Sequence, residues 1–432
     1  VRDVEWDDYP EPEDDDEPPA NVRSIASAAK AKVAAGEAAE PPPAWMADCP
    51  VSPTGLVRRS YAGLVHVLTH HPELAGALEW CQRRMRIEVV RDLPWHKAGE
   101  EVRDVFFSRC RGWLERRIGQ QWSKEAVVEG AIEVAHLRAR DRLVEYLRSL
   151  HWDGVPRMDR LLIDYAHAPD TELVMAMTRA FCIGAVRRAL QPGVKHDCVL
   201  VLEGKQGHGK SQLVRALAGE WGDENLCTFD GVAAQQHVAQ GPWICEIPEL
   251  TAVVRGDPAR AKQFLSLTED RFRAPYDRVL TTTPRRCVFI GTVNPIDGWL
   301  SDPTGGRRYW PVPVGHVDLE GVRAIRDQLW AEAVVAHESG EPHWLRGQVE
   351  DDAEEAQADR YQRDPWHDDL AAHMRQSTVP PTTGDLHDAL GIERDKRSNL
   401  TASRIARIMV ALGYEPTRSK HARTWVRRAT PG

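Results

Sequence analysis

Gly204, Gly207, Gly209, Lys210 and Ser211 fall within eight positions, in the spacing GxxxxGK[ST]. Glycines there let the backbone curl with its N–H groups turned inward, where side chains would block a phosphate. Lys210 adds a point charge for the outer phosphates, Ser211 a hydroxyl for Mg²⁺, and the helix that begins there its positive end. The expected ligand is a nucleoside triphosphate, ATP with Mg, bound by these five residues and Gln212. His208, inside the loop, reads as a solvated filler. Hydrolysis also needs a carboxylate to hold the metal and an acid to polarise water. Glu246 and Glu249, at the end of the apolar run WICEI, meet both needs. We assign Glu246 to the metal and Glu249 to the water, although the chemistry permits the reverse. Asn294, at the end of CVFIGTVN, offers an amide that can hold the water or sense the γ-phosphate.

The elements that must position these groups follow from the apolar runs. Val199 to Leu202, Trp243 to Ile247 and Cys287 to Asn294 read as strands, with a helix opening at Lys210. Further helices are expected at Glu172–Leu190, Pro258–Leu267 and Leu319–His337. Arg187-Arg188, closing the first of these, can reach a nucleotide or simply pair with the helix dipole. Trp152-Asp153-Gly154 with Pro156 reads as a compact turn hinging into this core. The stretch EDRFRAPYDRVLTTTPRRC predicts a β-hairpin that carries Arg273, Tyr276, Arg278, Arg285 and Arg286. Bases and an aromatic ring on one hairpin suit single-stranded DNA. Arg307-Arg308 follows a Gly-Gly pair, a turn that offers a guanidinium outward to a neighbouring subunit.

Charge must be read locally. The net charge of -9 belongs to residues 1 to 20, which hold ten acids against one Arg; the remaining 55 acids and 55 bases balance. Nucleic acid is therefore not excluded as a partner. The eight cysteines show no metal or disulfide spacing, no apolar run reaches a membrane span, and a cytoplasmic protein is expected. The chain starts without Met, as a piece of a longer protein would.

Composition divides the chain. Residues 1–44, acidic then Ala- and Pro-rich, read as a disordered tail or linker. Residues 45–150 read as a mostly helical domain, with helices near 64–70, 101–118 and 123–148 and a strand near 85–93. Arg103, Arg109, Arg111, Arg116 and Arg117 make its middle helix basic, a pattern that fits a solvated face better than a DNA contact. Residues 151–348 are the ATPase core, and 349–364 an acidic helical linker. Residues 365–432 are basic; 394–428 carry ten Lys or Arg against Asp395 and Glu415. There Thr401 is expected to cap a helix that buries Ile405, Ile408, Met409 and Leu412 and presents Arg404 and Arg407. Gly413 ends it, and two strands follow with Lys420, Arg423, Arg427 and Arg428 as a basic wing, a winged-helix pattern for duplex DNA.

From Trp45 to Leu345 the chain resembles the virulence-associated protein E family, P-loop ATPases of phages and genomic islands similar to superfamily 3 helicases. The resemblance rests on WDGVPR (152–157), PGVKHD (192–197), VLEGKQGHGKS (201–211), WICEIPEL (243–250), KQFLSLTEDRFRAPYDR (262–278), FIGTVN (289–294) and DPTGGRRYWPV (302–312). It implies a hexameric, ATP-driven DNA helicase or translocase for replication of a prophage or island, joined in some members to a primase. It makes Lys210 and Ser211 the Walker A residues, Glu246 and Glu249 the Walker B acids, Asn294 the sensor and Arg307 or Arg308 the finger. Lys262 to Arg278 would then match the pore hairpin. The Glu-x-x-Glu spacing departs from the adjacent acids of the wider superfamily and leaves the two roles open. The expected fold class is α/β, a RecA/AAA-like three-layer P-loop core with a helical N-terminal domain and a C-terminal winged helix. A DNA-bound ATPase switch or loader without unwinding, and a nucleotide-sensing effector of phage defence, are the alternative functions.

Overall fold

The structure is a computed structural model that describes residues 43–53, 55–224, 226, 229, 231–250, 256–272, 280–294, 298–300, 306–361, 364–418 and 423–427. Two compact units meet in sequence at Arg142 and Leu143. In the first, β1 (Leu78–Cys81) pairs antiparallel with β2 (Arg86–Val89) and parallel with β3 (Ala139–Arg140). Helices Tyr61–His70, Asp104–Ile118 and Lys124–His136 pack with the sheet around Leu64, Phe106, Trp113 and Ala131. The sheet adds two strands, β1 and β3, to the one expected near 85–93, among elements that are mostly helical. The helix expected over 123–148 stops at His136, because Ala139 and Arg140 pair with Trp80 and Cys81. A second helix, Arg142–Ser149, then begins and sends Leu143 and Leu147 into the core of the second unit.

That second core is built on five parallel strands in the order β10-β4-β9-β6-β5. These are β4 (Val199–Glu203), β5 (Gly222–Asp223), β6 (Ile244–Ile247), β9 (Val288–Val293) and β10 (Tyr309–Pro313). Side chains alternate between faces as a pleated strand requires. Leu200 and Leu202 of β4 join helices Glu172–Leu190, Lys210–Ala218 and Leu319–Glu338, whereas Val199 and Val201 face helices Gly231–Ala239 and Pro258–Leu265. Helices thus cover both faces, as an all-parallel sheet needs, and the arrangement is an α/β P-loop-like core. β4 comes first in the chain yet lies between β9 and β10, so the connections part at its carboxyl end and leave a crevice there.

Around this core the expected turn at 152–157 is anchored and not a free hinge. Asp153 pairs with Arg157 at 2.7 Å, and the Arg157 and Met158 N–H groups donate to buried Glu332 on the Leu319–Glu338 helix at 2.5 and 2.9 Å. The Glu172–Leu190 helix has the expected bounds, with Thr171 as its cap. Arg188 at its end is buried; it donates to the Cys287 and His196 carbonyls, and burial lowers its pKa to about 10. It therefore braces the core and does not reach outward.

The expected hairpin is present, β7 (Glu269–Phe272) pairing antiparallel with β8 (Thr281–Pro284). Arg285 just beyond it is a correction, since its side chain has no exposed surface and pairs with equally buried Asp270. It also donates to the Phe264 carbonyl and lies over the Phe264 ring, 4.5 Å from the centroid. A guanidinium held in this way cannot touch DNA. Local alternation suggested exposure, but Asp270 on the paired strand decides burial.

Beyond the acidic helix Gln348–Ala358, helices His367–Gln376, Thr383–Ala389 and Asn399–Ala411 are followed by the hairpin of β11 (Tyr414–Arg418) and β12 (Arg423–Arg427). Their small core holds Leu370, Met374, Leu386, Ile405, Ile408, Met409 and Trp425, with Leu412 half-buried against it. Ser398, not Thr401, caps the Asn399–Ala411 helix. Thr401 sits three residues on, and the two side chains answer each other's backbone N–H in a capping box. Arg404 is a second correction: it makes a bidentate pair with Asp364 at 2.7 and 2.8 Å and lies 3.7 Å over Trp366. Arg407 stays exposed. Among the described residues no helix is long and apolar enough to cross a membrane.

Arg285→Ala leaves the Asp270 charge buried without its partner and is expected to cost about 3–5 kcal/mol in urea unfolding. Replacing Arg285 with Met and Asp270 with Leu together should recover most of that loss. A cost below about 1 kcal/mol for the single change would contradict the burial argument.

Candidate nucleotide site

Three strand ends and one helix start supply the site. The loop from Gly204 to Gly209 connects β4 to the Lys210–Ala218 helix, with Gly207 and Gly209 at φ +84° and +87°. At Gly204 the reason for glycine is space, because a Cβ would stand 2.7 Å from the Val314 carbonyl oxygen. Gly209 precedes the helix without a side-chain cap, so the first N–H groups stay available to an anion.

Lys210 is buried, and its Nζ donates to the Gly204 carbonyl (2.6 Å), the Lys205 carbonyl (3.0 Å) and Asn294 Oδ1 (3.2 Å). Burial lowers its pKa, while the Glu246 charge acts in the opposite sense. Ser211 Oγ donates to Glu246 Oε1 at 2.6 Å, and Thr292 Oγ1 donates to the same oxygen at 2.9 Å. Glu246 is 1% exposed, and its Oε2 is buried without a hydrogen-bond partner among the described residues. An orphaned carboxylate oxygen beside a serine hydroxyl is a hard-oxygen donor set that suits Mg²⁺. These residues therefore fit the metal that a P-loop implies.

The structure thus brings together Lys210, Ser211, Glu246 and Asn294, drawn from the start of the Lys210–Ala218 helix, from β6 and from the residue after β9. Thr292 was missed in the sequence; a polar residue amid the apolar residues of FIGTV was the available signal. Glu249 lies apart, exposed on the turn after β6, at φ +48°. Positive φ is uncommon for a non-glycine residue and collects at functional sites. Gln212 is exposed on the first helical turn. His208 is half-buried, and its carbonyl accepts from the Val317 N–H, so it is a packed part of the loop and no mere filler.

Of the paired arginines, Arg308 is held within its own chain by Asp197 (3.3 Å) and Ser266 Oγ (3.1 Å), whereas Arg307 is exposed. A Cβ at Gly306 would run into the Tyr361 hydroxyl, which accounts for a glycine before them. Lys262 and Arg286 are half-buried. Arg273, Tyr276, Arg278, Lys420 and Arg428 lie outside the described residues, and Arg423 is described only as part of β12.

The virulence-associated protein E-like domain matches residues 147–362, half of the chain and all of the strands just described as the site's frame. The chain belongs to this family. Among solved structures it is similar to the apo structure of the NrS-1 C-terminal region. There the identity is 10% and the TM-score 0.41, covering 81% of this chain and 94% of that one. An A-form apo structure of the same region is 14% identical with a TM-score of 0.39, covering 66% and 78%. No curated protein matches the chain.

Thr292→Val keeps the shape of the side chain but removes one of the two donors to Glu246 Oε1. The expected loss is about 1.5–3 kcal/mol in urea unfolding. A change within about 0.3 kcal/mol would mean that the Thr292 bond contributes nothing net.

Proposed function

We propose that this protein is an ATP-dependent DNA helicase or translocase that serves replication of a prophage or mobile genomic island. The observation that carries the reading is the meeting of Lys210, Ser211, Glu246 and Asn294 at the crevice beside β4. In this reading Lys210 balances charge on the outer phosphates, and the Gly204–Gly209 loop orients them. Ser211 and Glu246 hold Mg²⁺, which neutralises phosphate charge when bound. Glu249, outside the buried cluster, takes the proton of the attacking water, and Asn294 orients that water. Catalysis then consists of positioning and electrostatics, as phosphoryl transfer requires.

The chain works as a ring, hexameric by family resemblance, with each exposed Arg307 completing a neighbour's site. Arg308, engaged by Asp197, only positions the Gly306–Arg308 turn. Single-stranded DNA passes the hairpin of β7 and β8, touching Lys262, Arg273, Tyr276, Arg278 and Arg286. The three helices and hairpin after residue 365 act as a winged helix on duplex DNA through Arg407, Lys420 and Arg423. A primase, fused or separate, would supply primers to the same replication. A second reading, an ATP-dependent switch or loader that binds DNA without unwinding it, gains from the loss of Arg285 and Arg404 as DNA contacts. Strand displacement on a forked duplex separates the two.

Lys210→Ala should abolish ATP hydrolysis without unfolding the chain, and hydrolysis at the wild-type rate would defeat the nucleotide-site assignment. Glu249→Gln should keep ATP binding and slow turnover by about 10²–10⁴-fold, whereas Glu246→Gln should weaken the Mg²⁺ dependence. The opposite pattern would reverse the two roles.

Arg307→Ala is expected to lower hydrolysis by about 10³–10⁵-fold. Mixing it with Lys210→Ala protein should restore part of the rate through interfaces where both parts are sound. No recovery in proven mixed assemblies would place Arg307 in its own subunit's site.

A further inference from the structure

The first unit carries a shallow, open cleft of about 470 Å³ lined by Trp95, Ser108, Arg109, Gly112 and Arg116. We propose that it binds single-stranded DNA, with Arg109 and Arg116 on phosphates and the Trp95 indole beside a base. It lies outside the residues that the family match covers, and it does not depend on the nucleotide chemistry proposed above.

The Asp104–Ile118 helix buries Phe106, Phe107, Cys110, Trp113 and Leu114, so its other side is turned outward. Arg109, Gly112 and Arg116 stand at i, i+3 and i+7 and therefore line one stripe of that side. No acid lines the cleft among the described residues, and acids on or packed against the helix have other partners: Glu73 with Arg117 (3.0 Å), Asp104 with Lys124 (2.9 Å) and Glu101 with Arg103 (2.8 Å). Glu115 accepts from Gln121. Among the described residues neither Arg109 nor Arg116 has an ion pair. Arg109 and Arg116, both exposed and with Cα atoms about 10.5 Å apart along the helix axis, thus line the cleft, and among the described residues neither meets a carboxylate.

Gly112 between them weakens a helix interior. Its gain is room: a Cβ there would lie 3.2 Å from Arg116 Nη1, at the cleft floor. The aromatic wall is built, since Trp95 is braced by Trp113 and Phe106 at 5.4 and 6.1 Å between ring centroids. Its indole N–H is buried and has no acceptor among the described residues, so the ring and not the N–H is what the cleft offers. Paired cations with an aromatic ring and a hydroxyl match a strand whose base faces are free to stack, whereas a duplex keeps those faces buried in its own stack and offers phosphates and groove edges. That contrast favours single-stranded DNA.

The test is fluorescence anisotropy of the full chain with labelled oligothymidylate across a salt series, thermal melts serving as the folding control. Arg109→Ala with Arg116→Ala should weaken binding about tenfold and lower the log–log salt slope by about 1.4, for two phosphate contacts on a single strand. Gly112→Leu, which fills the cleft and leaves both charges, should weaken binding comparably. Unchanged affinity in both variants overturns the proposal. So does a loss confined to the double variant, which would make the arginines diffuse charge with no cleft. Equal losses for duplex and single strand would remove the role of Trp95. If instead a labelled peptide of residues 1–20 loses binding while DNA does not, the occupant is an acidic protein segment and the proposal fails.

Discussion

A single buried carboxylate ties two strands of the sheet to the helix that opens the site. Glu246 Oε1 accepts from Ser211, at the start of the helix after β4, and from Thr292 on β9. A charge 1% exposed to solvent persists only where donors compensate its desolvation. In register, Glu246 pairs with Ile290 and Thr292 with Leu202. A slip of one residue in β6 would turn Glu246 to the opposite face and leave both hydroxyls without it. The acid that suits a metal thus also ties β6 to β9 and to the start of the Lys210–Ala218 helix.

The loop beside it is shaped by segments far away in sequence. The Val314 carbonyl closes over Gly204, the Val317 side chain abuts Gly209, and the Val317 N–H donates to the His208 carbonyl. Glu203, the last residue of β4, accepts from Arg360 at 2.8 and 2.7 Å and from the Trp299 indole at 2.7 Å. This clamp fastens the end of the acidic helix to the strand that feeds the loop. A displacement of the segment after residue 348 therefore bears directly on the loop, through a bidentate charged pair and not through diffuse packing.

Arginine dominates the basic residues of this chain, and its side chains divide into two kinds. Arg188, Arg285, Arg308 and Arg404 are locked by carbonyls, carboxylates or rings, and hold elements in place. Arg109, Arg116, Arg307 and Arg407 are exposed. The guanidinium serves both ends because it stays charged and offers several donors in a fixed plane. Which kind a given Arg belongs to depends on whether an acid or carbonyl from another element meets it.

The local chemistry was legible in the chain itself. The glycine-rich turn into the helix at Lys210, the Glu172–Leu190 helix and the β7 and β8 hairpin followed from periodicity and turn residues. These depend on neighbours a few positions away, which sequence contains. Tertiary structure alone decided the rest. Thr292 joined the site because β9 lies beside β6, which carries Glu246, and Arg285 left the hairpin surface because Asp270 sits across from it. Arg308 rather than Arg307 was held because Asp197 and Ser266 converge on it. The helix expected over 123–148 broke because β1 offered an edge at Trp80 and Cys81. Each of these outcomes turns on a hydrogen bond or ion pair between residues distant in sequence, and no local pattern encodes which distant partner will arrive.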